Sequence, residues 1–184
     1  MAIKRSTTEQ LILGALMLKA RHGYDVRHYL ENNLGDVWRV PTSQLYAAFK
    51  KLEDRGLVSS HVEVQETRPD RRIFEITGAG RKRFLTWLRS PIPKVRDLRM
   101  ELLAKVFFFD ELRLAGVWQM IDSQQELLEK ARKALEVERL QMRVPYDGLV
   151  LSQKIAAVRV WLEWIESEVR PFLKKGMSED GRVL

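Results

Sequence analysis

The sequence predicts a mostly α-helical chain that carries one small β-hairpin. An amphipathic helix follows Pro41, two short runs rich in β-branched and aromatic residues follow Gly56, and long amphipathic stretches fill the chain after Pro93. Three helices followed by a hairpin form a winged helix-turn-helix, whose third helix enters the major groove of DNA. We therefore expect a winged helix-turn-helix DNA-binding domain at residues 1–90 and a C-terminal helical dimerisation domain at residues 91–184.

The first two helices are expected to be short. Either Thr7 or Thr8 can accept a hydrogen bond at the N-terminus of a helix over residues 9–19. A second helix is expected to follow Gly23 and to end at residues 33–35, where asparagine and glycine favour termination.

The third helix has one apolar stripe and one polar face. Its apolar positions recur at i, i+3, i+4 and i+7 and are Leu45, Ala48, Phe49 and Leu52. Thr42, directly after Pro41, is the expected N-cap, and Gly56 supplies the left-handed residue that often closes a helix. The residues expected on the DNA-facing side are Thr42, Ser43, Gln44, Tyr46, Ala47 and Lys50. Gln44 can pair with adenine through two hydrogen bonds, whereas Tyr46 either flanks this surface or belongs to the core.

The predicted hairpin is strongly basic. Its strands fall near residues 57–64 and 73–76, and a Pro-Asp turn lies between them. The cations that can reach a phosphate backbone or a minor groove are Arg68, Arg71 and Arg72, with Lys4 and Arg5 adding charge at the N-terminus. One of these arginines can instead pair with Glu63 or Glu75 across the hairpin. The alternative interpretation is a solvated hairpin whose arginines make no specific contact.

Three separated motifs in this half resemble PadR-type transcriptional regulators. They are His22-Gly23-Tyr24-Asp25-Val26, residues 43–58 and residues 71–80, and they fall in the order and spacing of that family. The second half is similar to the longer branch of the family, which includes virulence-gene activators. The resemblance implies transcription regulation and a phosphate contact by Tyr46, and we expect His22 and Tyr24 to be structural.

The distribution of charge fits this interpretation. The chain has a net charge of +7. Residues 1–90 hold 16 Lys and Arg against 10 Asp and Glu, whereas residues 91–184 hold 16 against 15. The excess therefore lies in the half that carries the winged-helix pattern, as expected for nucleic-acid binding. We find no cysteine, lipidation motif, signal peptide or uncharged apolar run long enough to span a membrane, and we expect a cytoplasmic protein.

The second half predicts long helices that associate between chains. Pro91-Ile92-Pro93 marks the expected boundary, and helices are predicted over residues 97–109, 110–142 and 149–173, with a break at residues 145–148. The last helix has a coiled-coil-like seam of Leu151, Ile155, Val158, Leu162, Ile165, Val169 and Phe172. We expect a homodimer that places two third helices about 34 Å apart on an inverted repeat, the alternative being a self-contained bundle.

Several aromatic side chains suggest an effector site. Phe108, Trp118, Trp161 and Trp164 are the candidates for an apolar slot that would take a small planar aromatic effector. Their helical spacing favours the alternative, in which they fill the core. No cofactor is implied.

An enzyme is not expected. The three histidines are scattered without metal-ligand spacing, and Gly78-Ala79-Gly80 lacks the third glycine of a dinucleotide-binding loop, so we interpret Thr77 as an N-cap. The sequence thus predicts a dimeric, sequence-specific DNA-binding regulator, more consistent with repression than activation. The alternative is an adaptor that binds nucleic acid without sequence preference and a protein through its helical half.

Overall fold

The structure is a computed structural model that describes residues 5–35, 38–64 and 71–179. Its first part contains α1 (Arg5–Leu18), β1 (Arg21–His22), α2 (Gly23–Leu34), α3 (Thr42–Asp54), β2 (Val58–Glu63), β3 (Arg71–Ile76) and α4 (Gly78–Arg89). The predicted fold class, mostly helical with an N-terminal winged helix-turn-helix, is confirmed.

The wing is a three-stranded antiparallel sheet in the order β1-β3-β2. The predicted hairpin pairs Val58 with Ile76 and Glu63 with Arg71 at its two ends. Strand β1 was not predicted, because two residues carry no alternation pattern and β1 exists only through its pairing with β3.

The core of the first compact unit includes a segment from later in the chain. Met1–Leu88 and Arg99–Phe108 cluster together. Phe108 is fully buried, its ring lies directly over Gly14, and it meets Phe84 edge to face at 5.4 Å. Phe108 is therefore a core residue of this unit, and its prediction as part of an aromatic slot is wrong.

Two predicted caps are wrong because other residues bind their hydroxyls. α1 begins before Thr7 and Thr8, which are both buried within it, and the Thr7 hydroxyl donates to the Glu101 carboxylate at 3.1 Å. Thr42 lies inside α3, where its hydroxyl accepts a hydrogen bond from Arg27 at 2.6 Å, and Pro41 is the N-cap residue.

The predicted turns on either side of the wing are confirmed. α3 ends in a Schellman motif: Gly56 has φ +64°, its N–H donates to Glu53, and the N–H of Leu57 donates to Leu52. Thr77 caps α4, since its hydroxyl accepts a hydrogen bond from the Gly80 N–H at 3.1 Å.

The second compact unit comprises Arg89–Leu98 and Phe109–Leu184, of which residues up to 179 are described. A 3-10 turn (Val95–Asp97) leads into α5 (Leu98–Glu111), whose residues 99–108 belong to the first unit. The chain then forms α6 (Val117–Gln141), α7 (Pro145–Trp164), a π-helical segment (Ile165–Val169) and α8 (Arg170–Glu179). The prediction of one helix over residues 110–142 is wrong at its start, because Arg113 (φ 50°) and Gly116 (φ 104°) have left-handed backbone there. The predicted break at residues 145–148 is also wrong, because Pro145 starts α7, a position where its missing N–H costs nothing.

α6 and α7 pack against each other as an antiparallel hairpin. Arg159 lies 2.8 Å from Glu136, and Gln125 donates to Glu166 at 3.2 Å. The later partner of the second pair meets the earlier part of α6, as antiparallel packing requires. Most of the predicted seam is buried, but Phe172 is 53% exposed and Leu173 is buried in its place. The π segment adds a residue to one turn, which moves the seam from position 172 to position 173.

The residues around the expected boundary belong to the second unit. Buried Gln124 holds the backbone of Ile92 on both sides, accepting from its N–H at 2.6 Å and donating to its carbonyl at 3.3 Å. The compact units therefore interleave along the chain, and the functional division at residue 90 stays a prediction. Within the described residues, no helix combines the length and the hydropathy that a transmembrane span needs.

Candidate nucleic-acid interface

The third helix presents the polar face that its sequence predicts. Leu45, Phe49 and Leu52 are at most 1% exposed and anchor α3 to the core. The predicted contact residues Thr42, Ser43, Gln44, Tyr46, Ala47 and Lys50 are all exposed. The helix therefore offers one continuous surface of small, amide and cationic side chains, which suits contact with base edges.

Hydrogen bonds from α2 fix the start of α3. Arg27 donates to the Thr42 hydroxyl at 2.6 Å and pairs with Glu31 at 3.0 Å, one turn away on its own helix. The Pro41 carbonyl accepts from the N–H groups of Gln44 and Leu45. Arg27 was not among the predicted site residues, because nothing in the local sequence links α2 to the first turn of α3.

Tyr46 is partly exposed and lies against a glycine of α2. The residue is 47% exposed, and a Cβ atom placed on Gly23 would lie 3.0 Å from its ring. This contact gives a structural reason for the glycine in the His22-Gly23-Tyr24 motif. Tyr24 is itself 64% exposed and stacks on His28 at 6.2 Å, so its ring lies on the surface of α2.

Two carboxylates close to α3 are paired with arginines. Glu9 on α1 lies 2.9 Å from Arg55 just after α3, and Glu53 on α3 lies 2.7 Å from Arg72. These pairs offset two of the negative charges near α3, while Lys50 and Asp54 on the helix stay exposed.

A shallow groove runs between α1 and α3. Its volume is about 240 Å³, and its lining includes Thr8, Glu9, Ser43, Gln44, Ala47 and Lys51. Three predicted contact residues thus share one depression at the N-terminal half of α3.

The two described arginines of β3 point in opposite directions. Both are exposed, but adjacent residues of a strand project from opposite faces of a sheet. Arg72 faces α3 and binds Glu53 and Ser60, so it is not the arginine that pairs with Glu63 or Glu75. Those two glutamates approach His22 at 3.8 Å and His61 at 4.0 Å instead.

The remaining basic candidates are only partly described. Arg68 in the wing loop and Lys4 near the N-terminus lie outside the described residues. Arg5 starts α1, but its side chain is outside the description.

The C-terminal aromatic candidates lie in the second unit. Trp161 and Trp164 meet edge to face at 5.6 Å, and Arg170 lies 5.8 Å from the ring centre of Trp118. All three tryptophans are half-buried. In the described part of the chain, no group of three His, Cys, Asp or Glu side chains is placed to hold a metal ion.

The first three helices and the wing define a winged helix-turn-helix domain with an exposed polar third helix. Residues 12–85 match the model of the transcriptional regulator PadR-like family. Residues 12–85 of this chain therefore form a domain of the PadR-like family, which is a family of transcriptional regulators and not of enzymes.

Two curated relatives extend beyond this domain. The negative transcriptional regulator PadR of Bacillus subtilis (strain 168) is 26% identical over 170 residues, which cover 85% of this chain and 92% of the relative. A probable transcriptional regulator of Mycobacterium tuberculosis is 26% identical over 141 residues, covering 75% and 72%.

Solved structures give similar coverage. The crystal structure of Bacillus subtilis PadR in complex with operator DNA is 23% identical with a TM-score of 0.47, and the match covers 88% of this chain and 95% of that chain. The PadR-like transcriptional regulator BC1756 of Bacillus cereus is 19% identical with a TM-score of 0.44, covering 93% and 98%.

Proposed function

We propose that the protein is a sequence-specific DNA-binding repressor that acts as a homodimer on an inverted-repeat operator. The observation that carries this proposal is the exposed polar face of α3, held on a buried apolar face within a domain of the PadR-like family. Such a helix suits direct readout, because the major groove admits an α-helix and distinguishes all four base pairs.

We assign the contacts within residues 1–90 as follows. Ser43, Gln44 and Ala47 face the base edges, since they share the groove beside α1. Tyr46 and Lys50 flank these residues and contact phosphates, as do Arg71 and Arg68 from the wing. Lys4 and Arg5 add sequence-independent attraction, which makes the affinity depend on salt.

Dimerisation through residues 91–184 is supported by the apolar surface of the α6–α7 hairpin. At its tip the following residues are each 39% exposed or more: Val137, Leu140, Met142, Val144, Tyr146 and Leu149. These six apolar side chains all lie within residues 137–149, and burial against a second copy would remove them from water. A twofold dimer would then present two α3 helices about 34 Å apart, one turn of DNA.

The direction of regulation follows the relative that covers most of this chain among those described. That protein is named a negative transcriptional regulator. Occupation of an operator by a dimer blocks polymerase without any further contact, so repression needs only the surfaces described above.

An aromatic effector would use Trp161, Trp164 and Trp118 and not Phe108, which is fully buried in the first unit. A planar phenol stacking on the half-buried tryptophan pair would act by changing the separation of the two wings. Quenching of tryptophan fluorescence on titration with a phenol, lost in Trp161→Leu, would support this role. No quenching at millimolar phenol would contradict it.

The test of the main proposal is a selection from random duplex DNA with the full chain at physiological salt. We expect an inverted repeat with half-sites about 10 base pairs apart, bound roughly 10³-fold or more tightly than random duplex. Gln44→Ala and Tyr46→Ala should weaken binding to the selected duplex, whereas Gln119→Ala, an exposed glutamine on α6, should not. Failure to enrich any motif, with an affinity set by salt alone, would contradict the proposal and indicate a non-specific adaptor.

A further inference from the structure

Helix α3 and the wing are joined by two successive layers of contact. The first layer is apolar: the rings of Phe49 and Phe74 stack at 4.1 Å with an angle of 27° between their planes. Glu53 lies one helical turn beyond Phe49 on the same face of α3 and forms the second layer with residues of both wing strands.

The second layer is a closed polar triangle. Arg72 donates to Glu53 and to the Ser60 hydroxyl, each at 2.7 Å, and Ser60 donates to the same Glu53 oxygen at 2.6 Å. The Arg72 guanidinium also lies 5.2 Å from the ring centre of Phe74. One carboxylate oxygen on α3 therefore binds a side chain from β2 and another from β3.

The strand register explains why these residues meet. Ser60 pairs with Phe74, and Val62 pairs with Arg72, so these side chains all project from one face of the sheet. Glu63 pairs with Arg71, whose side chain projects from the opposite face. Arg71 and Arg72 therefore lie on opposite faces of the wing.

We propose that Arg72 is a positioning residue that sets the angle of the wing against α3, and that it is not a phosphate contact. This inference rests on the proposed DNA-binding function and names the contact that holds the wing in position against α3. The charge of Arg72 is already matched by Glu53, whose side chain is only 20% exposed. Releasing Arg72 to a phosphate would leave that carboxylate unpaired.

Glu53→Gln separates the two roles by the sign of its effect. It keeps the size of the side chain and removes one negative charge from α3. If only electrostatic attraction mattered, losing a carboxylate would tighten DNA binding. If the triangle positions the wing, the variant should bind the selected operator about fivefold more weakly, the size expected for a partly exposed ion pair.

Arg71→Ala is the matched control for Arg72→Ala, since it removes the same side chain from the other face of β3. Arg72→Ala should lower the affinity for the operator as much as Glu53→Gln does, and the double variant should bind no more weakly than either single variant. In Arg72→Ala the slope of log affinity against log salt concentration should stay at the wild-type value. Arg71→Ala should lower that slope by about 1.8, because a dimer loses two phosphate contacts.

A distance measurement tests the positioning role without DNA. The chain has no cysteine, so spin labels can be placed at Lys51→Cys on α3 and Val64→Cys after β2, both exposed. Mixing the labelled protein with excess unlabelled protein leaves few dimers with two labelled subunits, so the measured distance joins two labels in the same subunit. The distance distribution should be narrow in this labelled protein and should broaden when Glu53→Gln or Arg72→Ala is added.

The outcomes are distinct. A reduced salt slope in Arg72→Ala together with tighter binding by Glu53→Gln would overturn the inference and make Arg72 a phosphate contact. If the wild-type protein shows no sequence preference, the proposed function fails, and the distance distribution alone decides: broadening in both variants supports positioning, and unchanged width overturns it.

Discussion

The core of the first compact unit, with α3 on it, and the tip of the α6–α7 hairpin differ in how far their apolar side chains are exposed. In the first unit Leu11, Leu45 and Phe49 are at most 1% exposed, and the exposed face of α3 is polar. At the hairpin tip Leu140 is 88% exposed and Tyr146 is 71% exposed. Helix α3 of the first unit buries its apolar face and presents polar groups, whereas the hairpin tip keeps apolar side chains exposed, which suits association.

The largest expected effect contrasts two phenylalanines. Phe108→Ala should lower the free energy of unfolding by about 3–5 kcal/mol, because it empties a fully buried site beside Gly14 and Phe84. Phe172→Ala should cost less than about 1 kcal/mol, since Phe172 is 53% exposed. Urea unfolding of both variants measures the difference, and equal losses would break the comparison.

The next effect is a dependence of stability on pH. Burial lowers the pKa of the Lys105 ammonium to about 8, although nearby Glu101 acts to raise it. Between pH 8 and 10.5 the unfolded chain keeps this proton while the folded chain loses it, so stability should rise with pH by roughly 3 kcal/mol. The rise should be missing in Lys105→Met; the same rise in both proteins would assign it to other groups.

Two glycines of α4 provide the third test. A Cβ atom at Gly80 would overlap the backbone carbonyl of Leu57, whereas one at Gly78 would meet no atom within 4 Å. Gly80→Ala should therefore destabilise the wing by about 2–3 kcal/mol, and Gly78→Ala should be neutral. Thermal unfolding of both variants decides, and a tolerated Gly80→Ala would refute the close approach of α4 to the segment before β2.

The smallest effect concerns association. Leu140→Asp should weaken the proposed dimer by about 2 kcal/mol, because it places a charge in the apolar tip. Gln141→Asp adds the same charge at the next exposed position and should change much less. Sedimentation equilibrium gives both dissociation constants. If the wild type is a monomer at all concentrations, the exposed tip does not serve self-association.

The two regions also differ in how much of their structure could be predicted from the sequence. α3, Gly56 and Thr77 were predicted correctly because their signals are local: apolar spacing, a left-handed glycine and a threonine before a helix. Helices outside the motifs gave only periodicity, so the starts of α6 and α7 were misplaced. The π segment, which moves burial from Phe172 to Leu173, has no sequence signal that we recognise.

The errors at the candidate site have a common cause in tertiary contacts. Thr7 and Thr42 have the composition of N-caps, but Glu101 and Arg27 bind their hydroxyls from distant parts of the chain. Arg72 has a glutamate on the neighbouring strand, yet it binds Glu53 on α3. Such choices depend on which helix packs over which strand, and local pattern does not contain that information.

The most direct test of a dimer that reads DNA with two α3 helices is the spacing of its half-sites. Binding to the selected inverted repeat should be compared with binding to the same duplex carrying five extra base pairs at its centre. Half a turn rotates one half-site away from its α3 helix, so we expect the affinity to fall to about the level of a single half-site. An affinity that is unchanged by the insertion would contradict the account.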